Sequence, residues 1–245
     1  MKKGFLTFQW VIIFSINKSM TDISFKNKNQ TWMEFAITNY CQAKCPACNR
    51  TDPDTLELNP WIKLMHFDVD LFKKTITKEY AQRRNLTTFK FCGEAGDPMM
   101  HPRVSEFIDH AFDVGALRVT VNTNGGLRNT EWYTLMGEKY GESLQIVFGI
   151  DGVDHETNNK YRIGVDTDKA FKNMIAFHEA GGDAKWQFIL FDFNYHQLPE
   201  AADIRKKYNM NSTIVWNRGH YGLIKPDLRK FIEEKYRDDI ERFKK

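Results

Sequence analysis

WMEFAITNYCQAKCPACNR, residues 32–50, joins a strand-like apolar run to a loop that carries three closely spaced cysteines. Cys41, Cys45 and Cys48 stand in a CxxxCxxC spacing, so one short loop offers three thiolate ligands. A cube of four irons and four sulfurs takes one ligand per iron. Three cysteines would therefore leave one iron open to another ligand. Two other interpretations remain, namely a zinc site completed by Cys92 and reduced thiols that hold no metal.

This spacing, directly after a strand, resembles the radical SAM superfamily. The resemblance implies that Cys41, Cys45 and Cys48 hold a [4Fe-4S] cluster, and that S-adenosylmethionine is the second cofactor and chelates the open iron. It further implies that S-adenosylmethionine is cleaved reductively to methionine and a 5'-deoxyadenosyl radical, which abstracts a hydrogen from a substrate. An electron donor of the flavodoxin or ferredoxin type is the partner that such chemistry needs.

Composition indicates one large domain in a reducing compartment. The chain has 245 residues, of which 42% are hydrophobic, so it can bury an ordinary core. Four cysteines, three of them clustered, do not resemble a disulfide framework, and a cytoplasmic location is therefore expected. The net charge of +3 gives no strong signal for nucleic acid as a partner.

The N-terminal segment, residues 1–30, is predicted to be an extension that precedes the core. Lys2 and Lys3 come before an apolar run from Phe5 to Phe14, which resembles a signal peptide but is too short to span a membrane. No small-residue cleavage site follows the run, and no membrane partner is expected. Met20 offers an alternative translation start.

The rest of the chain alternates short strand-like runs with amphipathic stretches, which predicts repeated βα units and a parallel sheet. Six βα units cannot close an eight-stranded barrel, so the predicted fold is α/β, a partial, three-quarter TIM-type barrel, which is also the fold that the resemblance implies. The core domain is placed at residues 31–217, and residues 218–245 are predicted to form a charged helical tail. Strands are predicted at 32–38, 86–91, 117–122, 144–150, 185–190 and 212–216, and helices at 68–80, 102–114, 129–139, 167–180, 197–207 and 227–244.

Polar, glycine-rich segments follow successive strands, where parallel βα folds gather their chemistry. After strand 2, Ala95, Gly96 and Asp97 precede a proline and resemble the GGEP segment of the family, which implies contacts to the methionine amino group of the cofactor. The tips of strands 3 and 4 carry Asn124 and Asp151, which resemble the family's TNG and S-I/L-D-G tips. Tight turns that satisfy their own backbone are the alternative explanation for all of these residues.

Two further cofactor contacts are expected from the resemblance. Arg162 lies in a stretch similar to that of peptide-modifying members, and a guanidinium matches the cofactor carboxylate in geometry and charge. Leu190, in strand 5, is the candidate to pack against the adenine. The family usually has an aromatic residue before the third cysteine, where this chain has Ala47, so the adenine partner is expected from strand 5 or from Tyr40.

Three departures from the family pattern, Ala47, Ala95 and Gly149, keep a second function class open, a degenerate scaffold that binds the cofactor without turnover. Gly149 stands where serine is frequent. A zinc-stabilised binding module is the third class. No cysteine follows Cys92 in this sequence, so one cluster at most is expected, without the cysteine-rich extension of many peptide-modifying relatives. A peptide is the first substrate expectation, followed by a nucleotide or a small metabolite.

Overall fold

The computed structural model describes residues 31–93, 95–217, 219 and 221–244. The expectations about residues 1–30 and Met20 lie outside this part of the chain. The described residues form one six-stranded sheet in which neighbouring strands are parallel and follow chain order. The strands are β1 (Thr31–Phe35), β2 (Leu86–Phe91), β3 (Arg118–Thr123), β4 (Leu144–Gly149), β5 (Asp183–Leu190) and β6 (Asn211–Trp216). This arrangement confirms the predicted α/β fold.

Helices connect the strands and cover one face of the sheet. In the described part of the chain they are α1 (Val69–Thr75), α2 (Lys78–Arg83), α3 (Val104–Asp113), α4 (Thr130–Tyr140), α5 (His155–Asn159), α6 (Thr167–Glu179), α7 (Leu198–Tyr208), α8 (Pro226–Lys235) and α9 (Arg237–Lys244). Short 3-10 turns also occur, among them Pro98–Met100 after β2.

Side-chain caps fix where several helices begin. Asp68, Asn129, Asp154 and Asp166 each accept a hydrogen bond from the backbone N–H three residues later, which satisfies a donor that has no partner inside the helix. Thr77 does the same for Tyr80 and so starts a new helix. The helix predicted at 68–80 is therefore two helices, α1 and α2, and the one predicted at 227–244 is likewise broken at Tyr236.

The helix-covered face of the sheet is its apolar core. One row across five strands consists of fully or nearly fully buried apolar side chains, and the aligned residues are Phe35, Phe91, Val121, Ile146 and Ala184. On the same face Trp186 and Phe188 pack against Phe243 of α9, with ring centroids 4.9 and 5.9 Å apart. The final helix therefore belongs to the packed core and covers the end of the sheet.

The opposite, concave face of the sheet is polar. The row next to the apolar one consists of Glu34, Lys90, Thr120, Gln145 and Asp183. Lys90 donates to Glu34 over 2.9 Å, and Arg118 and Gln145 both donate to Asp183. TIM barrels usually fill this interior with branched apolar residues. The incomplete barrel instead keeps a hydrophilic interior.

None of the helices within the described ranges combines the length and the apolar character that a membrane span requires.

Candidate functional site

The cysteine loop follows β1 and is tied to the carboxyl end of the sheet by backbone hydrogen bonds. Lys44 N–H donates to the Ile163 carbonyl over 2.9 Å, and Asp97 N–H donates to the Tyr40 carbonyl over 2.8 Å. Within the loop, Cys48 N–H donates to the Cys45 carbonyl over 3.0 Å. The loop thus has a defined shape that is held from two neighbouring segments.

The three cysteines of the loop are free thiols. Burial raises the pKa of Cys41 to about 12, and the nearby Asp97 acts in the same direction. Burial also raises the pKa of Cys45, although the Arg162 guanidinium opposes this effect. A thiolate at either position therefore needs a cation or a metal to stabilise it, since metal binding is coupled to loss of the thiol proton.

The thiols do not form the compact ligand set of a single metal ion. Among the residues that the structure describes, no three His, Cys, Asp or Glu side chains lie close enough to share one ion. Structural zinc is held by four ligands on one ion, whereas a cube takes one cysteine per iron and so spreads its ligands. The loop offers three free thiols, which is one fewer than the four ligands of either site.

The segment after β2 lies against the cysteine loop. A Cβ on Gly96 would lie 2.4 Å from the Thr38 carbonyl oxygen, and a Cβ on Gly93 would lie 1.8 Å from the Gly96 carbonyl oxygen. Only glycine allows these backbones to approach so closely. The glycines therefore bring the segment with Ala95, Gly96 and Asp97 beside the thiols.

Asp97 is buried, and its carboxylate accepts hydrogen bonds from protein donors. Oδ1 accepts from Met99 N–H over 2.9 Å, and Oδ2 accepts from the Thr123 hydroxyl and Asn124 N–H over 2.9 and 2.8 Å. Burial raises the pKa of Asp97, and these three hydrogen bonds oppose the rise. The residue joins the β2 segment to the tip of β3.

Asn124, at the tip of β3, faces the cysteine loop. Its Oδ1 accepts from Gln42 Nε2 over 2.7 Å, and its Nδ2 lies 3.3 Å from Gln42 Oε1 and 3.8 Å from Cys41 Sγ. The structure therefore brings Asn124 together with a thiol ligand of the candidate cluster.

The buried Asp151 carboxylate and the partly buried Arg162 guanidinium form an ion pair. Arg162 Nε donates to Asp151 Oδ2 over 2.7 Å, and Asp151 Oδ1 accepts from Ile189 N–H over 2.7 Å. Burial works against the charge of Arg162, but Asp151 and Cys45 outweigh it, so the pKa of Arg162 lies above its ordinary value. The guanidinium is thus a fixed cation beside Cys45.

Gly149 makes room for this cation. A Cβ at Gly149 would lie 2.7 Å from Nη2 of Arg162, so the place where a larger side chain would begin is taken by the guanidinium. The departure from serine at this position has a steric reason in this chain.

A cavity of about 310 Å³ opens between the loop and the strand tips. This volume lies in the range of small-molecule sites. All three loop cysteines line it, together with the predicted residues Gly96, Asp97, Asn124 and Arg162. Asn122 Oδ1, on the same wall, is buried without a hydrogen-bond partner in the described structure. A polar ligand would supply that partner.

Other predicted residues do not line the cavity. Leu190 is fully buried on the helix-covered face of β5, because side chains alternate along a strand. Asp151 lies behind Arg162, and Tyr40 stacks on His66 with centroids 4.4 Å apart. Ala95 is likewise absent from the cavity lining.

Sequence reasoning missed several residues on the cavity wall. Gln187 lies on the concave face of β5, three positions before Leu190, and strand alternation alone could have identified it. Tyr161 also lines the cavity, where it packs against Phe191 with centroids 4.5 Å apart. It contributes aromatic surface to the cavity that Ala47 also lines. The position of Tyr161 directly before Arg162 in the sequence was the signal that could have identified it.

Solved structures share this fold. The chain is similar to Streptococcus suis SuiB bound to the precursor peptide SuiA, with a TM-score of 0.65 and 17% identity over 87% of this chain and 46% of that chain. It is similar to anSMEcpe with bound AdoMet, with a TM-score of 0.62 and 17% identity over 85% and 59% of the two chains. It is also similar to methylornithine synthase (PylB), with a TM-score of 0.56 and 12% identity over 89% and 64%. The chain thus spans about half to two thirds of these proteins.

No curated protein sequence matches the chain. The family model described as the radical SAM superfamily matches residues 35–203, well over half of the 245 residues. The matched region begins in β1, contains the three loop cysteines and ends in α7. The chain belongs to the radical SAM superfamily, whose enzymes combine a [4Fe-4S] cluster with S-adenosylmethionine.

Proposed function

We propose that this enzyme cleaves S-adenosylmethionine reductively and uses the product to abstract hydrogen from a polar substrate, with a peptide as the first candidate. The observation that carries the proposal is that three loop thiols and one partly buried, ion-paired arginine line the same cavity. When bound, the cluster and S-adenosylmethionine supply the radical chemistry, and the protein supplies positioning, charge and exclusion of water.

Cys41, Cys45 and Cys48 are the proposed cluster ligands. Cys45 is buried, and Cys41 and Cys48 are partly exposed on the cavity. Three thiols leave one position without a protein ligand, which fits a cofactor that binds metal through its own amino and carboxylate groups. Arg162 opposes the rise in the pKa of Cys45 that burial causes, and so favours the thiolate form there.

Arg162 is the proposed partner of the cofactor carboxylate. Its Nε is held by Asp151, while the residue lines the cavity in which the cofactor is proposed to bind. Because the guanidinium is held by a buried carboxylate, little conformational entropy is lost when it binds a ligand. Asp151 therefore acts on the cofactor through Arg162.

Gly96, Asp97 and Asn124 remain proposed neighbours of the cofactor, since all three line the cavity. The Asp97 carboxylate is already occupied by donors from Met99, Thr123 and Asn124. Its proposed contribution is to hold the backbone of the β2 and β3 tips in place. Tyr161 is the proposed aromatic partner of the adenine, in place of Leu190.

The hydrophilic concave face of the sheet supports a polar substrate. Gln187 and Asn122 reach the cavity from this face, and Lys90 and Glu34 extend it below. Peptide chemistry is favoured by similarity to SuiB, which was crystallised with its precursor peptide. An electron donor of the flavodoxin or ferredoxin type is the proposed protein partner.

Anaerobic reconstitution with iron and sulfide tests the proposal. We expect about four irons per chain, a cluster absorption band, and release of 5'-deoxyadenosine when dithionite and S-adenosylmethionine are added. Bound zinc without iron would overturn the proposal. A cluster that forms but never cleaves S-adenosylmethionine would identify the chain as a degenerate scaffold instead.

A further inference from the structure

The side chain of Asn124 is fixed by a reciprocal pair of amide hydrogen bonds with Gln42. Gln42 Nε2 donates to Asn124 Oδ1 over 2.7 Å, while Asn124 Nδ2 donates to Gln42 Oε1 over 3.3 Å. Gly126 N–H donates to the same Oδ1 over 3.0 Å. Because two N–H donors bond to the same side-chain atom, that atom is the amide oxygen and the other is the nitrogen.

The orientation of the amide determines what Asn124 presents to the cysteine loop. Its nitrogen carries two hydrogens, one of which goes to Gln42, and the other points toward Cys41 Sγ at 3.8 Å. The same sulfur accepts from Ala43 N–H over 3.4 Å. Cys41 is thus a thiol that receives one backbone and one side-chain donor.

The backbone of Asn124 is fixed as well. Its N–H donates to the buried Asp97 carboxylate over 2.8 Å, and the residue is only 5% exposed. Most of the side chain is therefore shielded from solvent, and the hydrogen bonds from Gln42 and Gly126 hold the amide beside the sulfur. Asn124 is therefore held in one orientation, unlike a flexible polar residue on the rim of a cavity.

We propose that Asn124 is a positioning residue for the cluster ligand Cys41 and that its side-chain N–H raises the reduction potential of the cluster. This inference rests on the proposed function, since it requires a cluster on Cys41. Reduction adds negative charge that is shared with the cysteine sulfurs. A donor that points at such a sulfur stabilises the reduced form, and hydrogen bonds to sulfur are among the factors that set cluster potentials.

The chain offers a matched control two residues earlier on β3. Asn122 lines the same cavity, and its Nδ2 donates to Cys92 Sγ over 3.5 Å. Cys92 lies outside the CxxxCxxC loop. Asn122 therefore makes the same kind of bond to a cysteine sulfur that is not a proposed cluster ligand.

The test is an anaerobic redox titration of the reconstituted holoenzyme, followed by electron paramagnetic resonance of the reduced cluster. Asn124→Ala is compared with Asn122→Ala, and Asn124→Asp with Asn122→Asp. Asn124→Asp keeps the Oδ1 that accepts from Gln42 and Gly126 and loses only the side-chain N–H. If Asn124→Ala takes up no cluster, the comparison of the two aspartate variants is the test. We expect both Asn124 variants to shift the midpoint potential to more negative values, beyond any shift in their Asn122 partners.

Equal potentials in wild type and the Asn124 variants, or equal shifts in the two members of a pair, would overturn the inference. The wild-type preparation separates this result from failure of the proposed function. A wild-type chain that takes up no iron overturns both proposals. A wild-type cluster with an unmoved potential in the Asn124 variants overturns only the role of Asn124.

Discussion

Gly149 and Arg162 share one space, since a Cβ on the glycine would lie 2.7 Å from Nη2 of the arginine. The guanidinium is held there by Asp151 over 2.7 Å. A side chain at position 149 and the present position of Arg162 therefore exclude each other. The glycine at this strand tip is part of the construction of the proposed cofactor site and does not by itself indicate loss of function.

Gly149→Ser should weaken binding of S-adenosylmethionine. The added atoms would displace the guanidinium from the cavity wall, and we expect the Kd to rise roughly tenfold, which corresponds to about 1.4 kcal/mol. Equilibrium binding to the reconstituted protein measures this. Gly219→Ala is the matched control, because a Cβ there would meet its nearest neighbours at 3.4 and 3.9 Å, ordinary contact distances. Equal affinities in the two variants would contradict the steric account.

Arg162→Met should destabilise the fold because it leaves the Asp151 carboxylate buried without its cation. Breaking a buried pair in this way costs about 3–5 kcal/mol. Urea denaturation measures the loss. The double variant Asp151→Asn, Arg162→Met removes both charges, and we expect it to be more stable than Arg162→Met alone. If the double variant is no more stable, Asp151 does not depend on Arg162 for its charge.

Tyr161→Ala should weaken S-adenosylmethionine binding through loss of aromatic surface in the cavity. Stacking of a base on an aromatic side chain is worth about 1–3 kcal/mol by alanine substitution, so the Kd should rise by about fivefold or more. Tyr161→Phe keeps the ring and should bind like wild type. A Tyr161→Ala variant that also binds like wild type would place the adenine elsewhere.

Cys92→Ser should keep the full iron content after reconstitution, whereas Cys41→Ser should lose most of it. Cys92 lines the cavity and accepts a hydrogen bond from Asn122 over 3.5 Å, but it lies outside the cysteine loop. Iron analysis of the two serine variants side by side makes the comparison. Loss of metal from Cys92→Ser would instead favour a four-cysteine site.

The stability of the fold should fall below neutral pH in part because of His101. Burial lowers the pKa of this histidine, whose Nε2 bonds to the Phe67 carbonyl over 2.9 Å and whose Nδ1 accepts from Arg103 N–H over 3.1 Å. The unfolded chain therefore binds a proton at a higher pH, near 6.5, than the folded chain. The stabilisation is full above this pH and is lost as the pH falls toward the lowered folded-state pKa.

Denaturation of wild type and His101→Gln between pH 7.5 and 5 checks this expectation. The variant should be less stable at pH 7.5, and its stability should fall less steeply on acidification. His196→Gln, at an exposed position in the turn after β5, serves as the control. Parallel pH profiles in His101→Gln and wild type would show that His101 does not contribute to the slope.

Much of the fold could be predicted because each element has a local cause in the sequence. Alternating and helical periodicities located all six strands and most of the helices. The break between α1 and α2 was missed because it depends on one local hydrogen bond. The Thr77 side chain accepts from Tyr80 N–H and so starts a second helix. Strand β1 ends at Phe35 and not at residue 38, and Thr38 instead forms a bridge with His66.

The site was less predictable, since motifs name residues but not the faces that they occupy. Leu190 was chosen for its apolar character, yet strand alternation turns it to the helices and turns Gln187 to the cavity. Gly149 and Arg162 come from two different segments, and the sequence pattern of neither segment predicts that they meet. Distances between segments are what the sequence alone does not contain.

The six strands carry two independent sets of positions. Helix-facing residues such as Phe91 and Ile146 hold the domain together, while the alternate residues, such as Lys90 and Gln145, contribute little to that packing. Exchanging the concave residues should therefore alter which molecules the barrel accepts at small cost in folding free energy. The same scaffold can acquire new substrates one inward position at a time, and libraries restricted to those positions are where selection for a different specificity should start.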